Sequence, residues 1–246
     1  MSAVSSTAPL VSVIVPSYND GNLLPRSLRR LAAVTDLDRE VIVVDDGSTD
    51  GTDGLQIRLL EEGLADRWFV HPVNRGKGSA IHSALAEARG EIVAIHDADL
   101  EYDPGLLPKL VAPILAERAD AVFGSRLLGA LEQGSLPLPG NVVELVWGLG
   151  SEVVNAAVCL AARRLLTDVE TCQKVVRTDL LRSLNLSEER FGFEPEVVIK
   201  LARSGARMLE LPITYEPRTW AEGKKITIRD GFEALGCALR YGVLRD

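Results

Sequence analysis

The chain contains little cysteine, and its cysteines form no recognisable pattern. Among 246 residues only three are cysteine, and they are the widely separated Cys159, Cys172 and Cys237. A disulfide framework needs an even set at regular spacing, and a structural zinc site needs pairs such as C-x-x-C. The sequence therefore indicates neither, and a reducing cytoplasm fits it best.

The chain also lacks a long apolar run. A membrane-spanning helix needs about 20 consecutive apolar residues, and the closest segment, Val142–Ala162, is interrupted by Glu144 and Glu152. Its polar residues share one stripe, so we interpret it as an amphipathic helix. The N-terminus lacks the basic start of a secretory signal, and residues 1–9 are predicted to be disordered.

Positive charge is in deficit. Lys and Arg total 27 against 35 Asp and Glu, which gives a net charge of -8 at pH 7. Proteins that bind nucleic acid are normally basic, so DNA and RNA are disfavoured as main partners. Hydrophobic residues make up 46% and charged residues 25% of the chain, which is ordinary for a globular protein. Without repeats or linkers, the length predicts a single domain with a large core.

Short apolar runs alternate with helical patterns along the chain. The predicted strands cover residues 10–16, 40–45, 68–70, 91–95, 121–126 and 207–215. The predicted helices cover residues 23–34, 77–88, 106–118, 142–162, 178–184, 194–204 and 231–243, with one more ending near residue 62. Loops are predicted at 129–140 and 220–230. Apolar strands joined by helices predict an α/β domain whose mostly parallel sheet is covered by helices on both faces.

Polar residues follow three of these strands. Ligands of parallel α/β sheets bind beyond the carboxyl ends of the strands. Those ends read PSYND at 16–20, DDG at 45–47 and HDAD at 96–99. The sequence therefore predicts a polar, charged ligand at this edge of the sheet.

Three carboxylates alternate after the fourth strand, on Asp97, Asp99 and Glu101. If the chain stays extended there, alternate side chains point the same way, and their mutual repulsion favours a bound cation. Carboxylate oxygens suit Mg²⁺ or Mn²⁺, which usually take phosphates as further ligands. The alternative is structural, with Asp99 and Asp103 capping a turn or a helix.

The residues after the second strand allow a binding role and a structural role. A carboxylate of Asp45 or Asp46 is placed to accept from a ribose hydroxyl or a base N–H. Ser48, Thr49 or Asp50 would cap the helix that follows. Both roles are compatible.

A glycine-containing turn and several basic residues are further candidates for phosphate binding. In NRGKG at 74–78 the glycines permit close backbone approach and a helix start favours anions, which would put Lys77 near a diphosphate. The Walker spacing is absent, so an exposed loop is the alternative. The basic residues that stand out are Arg126, Arg218, Lys224, Lys225 and Arg229. The alternative for the last four is a solvated surface loop.

Seven segments occur together in a fixed order. They read VSVIVPSYND, VIVVDDGSTDGT, NRGKGSAI, HDADLEYDP, FGSR, TDVETCQKV and RFGFEPEV. Together they resemble family 2 inverting glycosyltransferases with the A-type nucleotide-diphospho-sugar transferase fold, over roughly residues 10–230. The nearest branch is the dolichyl-phosphate mannose synthase and polyprenyl-phosphate glycosyltransferase group. No G-x-G-x-x-G follows the first strand, which disfavours a Rossmann dehydrogenase.

The resemblance implies roles for the matched residues. It implies nucleotide-sugar binding by Pro16, Tyr18, Asp20, Asp45, Asp46, Lys77, Asp97, Ala98 and Asp99. It implies Mg²⁺ or Mn²⁺ binding by Asp97, Asp99 and Glu101, and acceptor-phosphate binding by Ser125, Arg126, Arg218, Lys224 and Lys225. Catalytic roles would fall to Asp99, Arg126 and Glu194. The family more often has Glu where Asp20 stands, and Gln where His96 or Glu101 stands.

The implied activity is metal-dependent transfer of a hexose, of mannose or glucose type, from a nucleotide diphosphate sugar to a polyprenyl or dolichyl phosphate. GDP-mannose, UDP-glucose and UDP-N-acetylglucosamine are all left open as donors. An ionised lipid phosphate needs no general base, whereas a soluble hydroxyl acceptor needs one, for which Glu194 and Glu196 are the candidates. The alternatives are such a hydroxyl acceptor and a non-catalytic nucleotide-sugar-binding subunit of the same fold.

The expected organisation follows from the order of these segments. We expect residues 10–126 to form a nucleotide-sugar-binding half and residues 127–246 an acceptor-binding half of one glycosyltransferase domain. We expect the chain in the cytoplasm, at the inner face of the membrane if the acceptor is a lipid. A homodimer is left open.

Overall fold

Seven strands and nine α-helices alternate in the computed structural model, which describes residues 10–135, 142–218 and 228–243. The strands are β1 Val11–Ser17, β2 Arg39–Asp45, β3 Arg67–Val70, β4 Ile92–Ile95, β5 Ala121–Ser125, β6 Lys174–Arg177 and β7 Met208–Pro212. The helices are α1 Leu24–Ala32, α2 Gln56–Glu61, α3 Lys77–Glu87, α4 Leu107–Leu115, α5 Arg126–Glu132, α6 Val142–Ala162, α7 Thr178–Ser183, α8 Phe193–Arg203 and α9 Ile228–Val243. Short 3-10 helices cover Thr52–Leu55 and Pro104–Leu106. The N-terminal segment predicted to be disordered lies outside the described residues.

All seven strands belong to one sheet, in the order β3-β2-β1-β4-β6-β5-β7. β1 is parallel to β2 and β4, β2 is parallel to β3, and β5 is parallel to β7. Only β6, of the described strands, is antiparallel to its neighbours, β4 and β5. The predicted α/β architecture with a mostly parallel sheet is confirmed. β6, Lys174–Arg177, was not among the predicted strands.

Side chains of the central strands alternate between two cores. Val13 and Val43 lie in the core beneath α1, α2 and α4, whereas Ile14 and Ile42 lie in the core beneath α3, α6, α8 and α9. All four are fully buried. A strand covered on both faces is apolar at most positions, which is why residues 13–15 of β1 and 41–44 of β2 form uninterrupted apolar runs.

The helix predicted to be amphipathic is α6, and its buried side contains Val154 and Val158. Leu149, Val153 and Leu160 lie on its exposed side, with Leu160 81% exposed. Within the described ranges, no helix combines the length and apolarity needed to cross a membrane.

One predicted loop begins as a helix. Residues 126–132, predicted in part as the loop 129–140, form α5, and Ser125 caps it by accepting a hydrogen bond from the Leu128 N–H at 3.0 Å. Gly129 lets this helix pack against β7, because a Cβ there would overlap the Ile213 carbonyl. Of the loop predicted at 220–230, the last residues start α9 at Ile228, and the rest lies outside the described residues.

Candidate active site

The loops after β1 and β2 are tied together above the carboxyl ends of the strands. Pro16 is buried near the end of β1, and Tyr18 is half-buried. Asn19, with a φ of 52°, accepts from the Thr49 N–H at 2.8 Å. Asp20 is buried and accepts from the Tyr18 N–H at 3.2 Å. The three residues predicted to line the nucleotide therefore lie together at this edge.

Asp46 holds the turn that leads into α3. Its carboxylate accepts from the Arg75 N–H at 3.0 Å and the Gly76 N–H at 2.6 Å, and His71 Nδ1 lies 2.6 Å from it. His71 Nε2 in turn lies 2.8 Å from Ser83 Oγ on α3. Both carboxylate oxygens of Asp46 thus bind the chain itself, and its nucleoside contact stays a prediction.

Asp45 is the neighbour with an unused acceptor. Its Oδ1 accepts from the Ser48 N–H at 3.0 Å, whereas Oδ2 is buried without a hydrogen-bond partner in the part of the chain described. The predicted capping role of Ser48, Thr49 or Asp50 was wrong, because Gly51 is the N-cap of the 3-10 helix. Asp50 instead accepts from the Thr52 N–H at 3.1 Å.

The glycines of NRGKG allow residues 188–190 to pack closely against the start of α3. Gly76 has a φ of 109°, and a Cβ on Gly76 or Gly78 would overlap backbone atoms of residues 188–190. Ser79 donates its N–H to the Glu189 carbonyl at 2.9 Å. The glycines permit a close approach as predicted, but what approaches them here is the protein backbone. The exposed-loop alternative is wrong for both glycines, which are buried.

Lys77 lies between two carboxylates. Its Nζ is 2.9 and 3.0 Å from the oxygens of Asp97 and 3.2 Å from Glu194 Oε1. Burial alone would lower the pKa of Lys77, but Asp97 above all raises it well beyond its ordinary value. Burial alone would likewise raise the pKa of Asp97, and Lys77 above all brings it below its ordinary value. Both groups are therefore charged at neutral pH.

The chain turns after Asp97, so the extended arrangement expected for the three carboxylates was wrong. Leu100 has a φ of 67°, which is unusual for a branched residue. Asp99 closes the turn by accepting from the Glu101 N–H at 3.1 Å, and Asp103 caps the next 3-10 helix by accepting from Gly105. The structural alternative is thus confirmed for Asp103 and, as a turn contact, for Asp99.

Arg218 pairs with the second and third carboxylates. Its Nη2 lies 2.8 Å from Asp99 Oδ2, and its Nε lies 3.1 Å from Glu101 Oε1. Tyr215 donates its hydroxyl to Glu101 Oε2 at 2.7 Å. Burial, with Asp97 and Glu101 nearby, raises the pKa of Asp99 to about 7 even though Arg218 opposes this shift.

These pairings decide how the predicted metal residues are arranged. Within the described ranges, no three His, Cys, Asp or Glu side chains are grouped so that they could hold a metal ion. The donor chemistry of the three carboxylates suits Mg²⁺ or Mn²⁺, but Lys77 takes the first carboxylate and Arg218 the other two. Two internal cations therefore supply the positive charge that the prediction assigned to a metal. Ala98 is buried between the first two carboxylates.

Arg126 is held by Asp168 and lies over the ring of Tyr215. Its Nε and Nη2 each lie 2.7 Å from an oxygen of Asp168, and its guanidinium carbon lies 5.1 Å from the centre of the Tyr215 ring. A two-point ion pair of this kind fixes the plane of the guanidinium. Ser125, predicted to contact the acceptor, lies 2.7 Å from Thr167 Oγ1.

The loop before β6 and the first residue of β6 contribute site residues that the sequence did not single out. Asp168 is buried, and Glu210 accepts from its N–H at 3.0 Å. Lys174 is also buried, donates to the Val169 carbonyl at 3.1 Å, and has its pKa lowered by burial. The segment TDVETCQKV was part of the family resemblance, so its match was the available signal. Cys172 is the third such residue, and burial, together with the nearby Asp97, raises the pKa of its thiol.

Of the two glutamates proposed as a base, only Glu194 faces this cluster. Its Oε2 is buried and has no hydrogen-bond partner in the described residues. Glu196 instead accepts from the N–H groups of Ser187 at 2.9 Å and Glu188 at 2.8 Å, and pairs with Lys200 at 2.7 Å. The role of Glu196 is therefore structural.

Lys224 and Lys225, which were predicted to bind the acceptor phosphate, lie outside the described residues.

Solved structures support the class of fold. Glucosyl-3-phosphoglycerate synthase from Mycobacterium tuberculosis, crystallised with Mn²⁺, uridine diphosphate and glucosyl-3-phosphoglycerate, superposes with a TM-score of 0.70. The match covers 97% of this chain and 81% of that one at 23% identity. This likeness places the chain among the A-type glycosyltransferase folds.

The family follows from sequence comparison. The family model "Glycosyl transferase family 2" matches residues 12–154, and the chain belongs to that family. An undecaprenyl-phosphate mannosyltransferase of Micrococcus luteus is 31% identical over 87% of this chain and 86% of its own length. A low-salt glycan biosynthesis hexosyltransferase of Haloferax volcanii is 28% identical over 89% of this chain. The match covers 50% of the length of that relative. The predicted family resemblance is confirmed.

Proposed function

We propose that this glycosyltransferase moves a hexose, of mannose or glucose type, from a nucleotide diphosphate sugar to the phosphate of a polyprenyl or dolichyl lipid. The observation that carries the proposal is the Arg126 guanidinium. Asp168 takes its Nε and Nη2, whereas Nη1 has no hydrogen-bond partner among the described residues. A fixed guanidinium with a free N–H edge suits a phosphate oxygen. The named activity of the Micrococcus luteus relative supports a lipid phosphate as the acceptor.

The same residues suggest how transfer proceeds. Lys77 is the cation we assign to the departing diphosphate, because it is charged, mostly buried and beside Asp97. Arg126 holds the acceptor phosphate, one oxygen of which attacks the anomeric carbon as the bond to the diphosphate breaks. The configuration inverts, and no proton is transferred because the phosphate is already ionised. Mg²⁺ or Mn²⁺ belongs to the proposal because solved neighbours contain these ions, but the arrangement seen here assigns the metal no step.

A soluble hydroxyl acceptor is the second candidate. It is favoured by Glu194, whose buried Oε2 is without a partner in the residues described. A general base needs an oxygen within reach of the hydroxyl proton. Lys77 already holds the other oxygen of Glu194 at 3.2 Å, so only one oxygen of this carboxylate is available to an acceptor.

Two substitutions separate these candidates. With a short-chain prenyl phosphate as acceptor, we expect Arg126→Ala to reduce transfer far more than donor hydrolysis. The loss should correspond to about 2–4 kcal/mol of barrier, as for one charge-assisted contact. Glu194→Gln should reduce transfer less. Arg203→Ala is the matched control, since this exposed arginine donates to the Gly242 carbonyl at the end of α9.

The opposite result would favour the second candidate. If Glu194→Gln is the more damaging change, and a hydroxyl compound is glycosylated while prenyl phosphate is not, the lipid-phosphate assignment is wrong. Thermal-shift measurements with GDP and UDP would identify the donor nucleotide, because a ligand at about 100 times its Kd adds roughly 2.7 kcal/mol of stability. The proposal also includes a donor-binding half over residues 10–126, an acceptor-binding half after it, and reaction at the inner membrane surface.

A further inference from the structure

The Arg218 guanidinium occupies the carboxylates on which the sequence predicts a divalent cation. It lies 2.8 Å from Asp99 and 3.1 Å from Glu101, and the Arg218 N–H also donates to Glu101 at 3.0 Å. The remaining oxygens are used as well, since Asp99 Oδ1 accepts from the Glu101 N–H and Glu101 Oε2 accepts from Tyr215. All four carboxylate oxygens therefore have protein partners.

A divalent cation cannot simply be added to this arrangement. It would need oxygens that the guanidinium now holds, and two cations within reach of the same carboxylates would repel each other. Expelling Arg218 without a new anionic partner would leave a charge that is mostly buried, since its side chain is 16% exposed. A metal ion alone is therefore expected to bind weakly.

A nucleotide diphosphate changes this balance. Its oxygens offer the guanidinium a planar, two-point anionic partner in place of the carboxylates. Arg218 can then release Asp99 and Glu101 without losing its ion pair. The released carboxylates become available to the metal.

We propose that Arg218 makes divalent-cation binding depend on the nucleotide, because the guanidinium and the metal are alternative partners of Asp99 and Glu101. This inference rests on the proposed function, since it assumes a nucleotide diphosphate at this edge. The dependence is a coupling free energy, so the metal must strengthen nucleotide binding by the same factor. A factor of about 5- to 150-fold is typical of such coupling.

The test measures binding without catalysis. Free Mn²⁺ is followed by electron paramagnetic resonance during titration of the full chain, with and without GDP or UDP, for wild type and Arg218→Gln. We expect wild type to bind Mn²⁺ weakly alone and about 5- to 150-fold more tightly with nucleotide. Arg218→Gln should bind Mn²⁺ alone more tightly than wild type does, and should gain less from nucleotide.

The controls keep the outcomes distinct. Arg58→Gln removes an exposed arginine of α2 that pairs with Glu62 at 3.5 Å, and should leave the affinities for Mn²⁺ and nucleotide unchanged. Arg218→Lys keeps the positive charge but loses the planar, two-point guanidinium, and it serves if the glutamine variant does not fold. Its affinity for Mn²⁺ alone should lie between those of wild type and Arg218→Gln. If the variants bind Mn²⁺ alone no better than wild type, the inference is wrong. If wild type binds neither nucleotide, the proposed function fails instead.

Discussion

Glu196 offers a strong test of how this site is supported. It is fully buried, and it accepts hydrogen bonds from the Ser187 and Glu188 N–H groups and from Lys200. Hydrogen bonds to charged groups contribute about 1.5–3 kcal/mol each, though not additively, and removing one member of a buried ion pair costs about 3–5 kcal/mol. We therefore expect Glu196→Ala to lower the free energy of unfolding by about 3–5 kcal/mol. Denaturant titration followed by circular dichroism measures it.

The pH dependence of the unfolding free energy tests whether the charged form of Glu196 is what stabilises the protein. Burial alone would raise the pKa of Glu196, but Lys200 and the two backbone N–H groups bring it below its ordinary value. A carboxyl whose folded pKa is lowered stabilises the protein above its unfolded pKa, at about 4.3. It loses that contribution as the pH falls through the folded pKa. The difference in unfolding free energy between wild type and Glu196→Gln should thus be largest at pH 7 and should decrease below about pH 4.

Lys200→Met is the matched control, because it removes one of the donors to Glu196, together with a contact to the Asn185 carbonyl, and should cost about 1–2 kcal/mol. A loss below about 1 kcal/mol for Glu196→Ala, or a gap between wild type and the glutamine variant that does not change with pH, would refute the reasoning.

Three further substitutions test separate parts of the site. Asp46→Ala is expected to weaken nucleotide binding in calorimetric titration with GDP or UDP; an unchanged Kd would leave Asp46 as an anchor of the turn before α3 alone. Gly78→Ala is expected to lower the unfolding free energy by about 1–3 kcal/mol, because its Cβ would overlap the Glu188 carbonyl; a thermal melt equal to wild type would show that this contact relaxes freely. Asp168→Asn is expected to raise the KM for prenyl phosphate more than it slows donor hydrolysis, since it frees the Arg126 guanidinium; equal losses in both would assign Asp168 a different role.

The sequence predicted the parts of this fold that depend on local pattern. The central residues of β1, β2 and β4 are mostly apolar because both faces of the sheet are covered, and polar residues follow each strand. The carboxyl ends of parallel strands meet at one edge, which is why the predicted nucleotide residues lie together.

What the sequence could not show is which distant group completes each contact. The run of carboxylates indicated charge repulsion, but the cations that relieve it come from Lys77 and Arg218. The glycines of NRGKG indicated a close approach, but what approaches is the backbone near Glu189. Asp168 was missed for the same reason, since its importance depends on Arg126, 42 positions away.

The position of β6 has a consequence for the order in which the chain folds. Val93 in β4 pairs with Val176 in β6, so the two parts of the sheet join only after most of the chain has been made. Contacts between such distant segments form late and slowly. A ribosome-bound chain that ends before β6 would hold β3, β2, β1 and β4 without their antiparallel neighbour, and would lack the arginine that neutralises Asp99. We expect such stalled chains to be cut by protease after β4, and chains extended past Arg218 to resist.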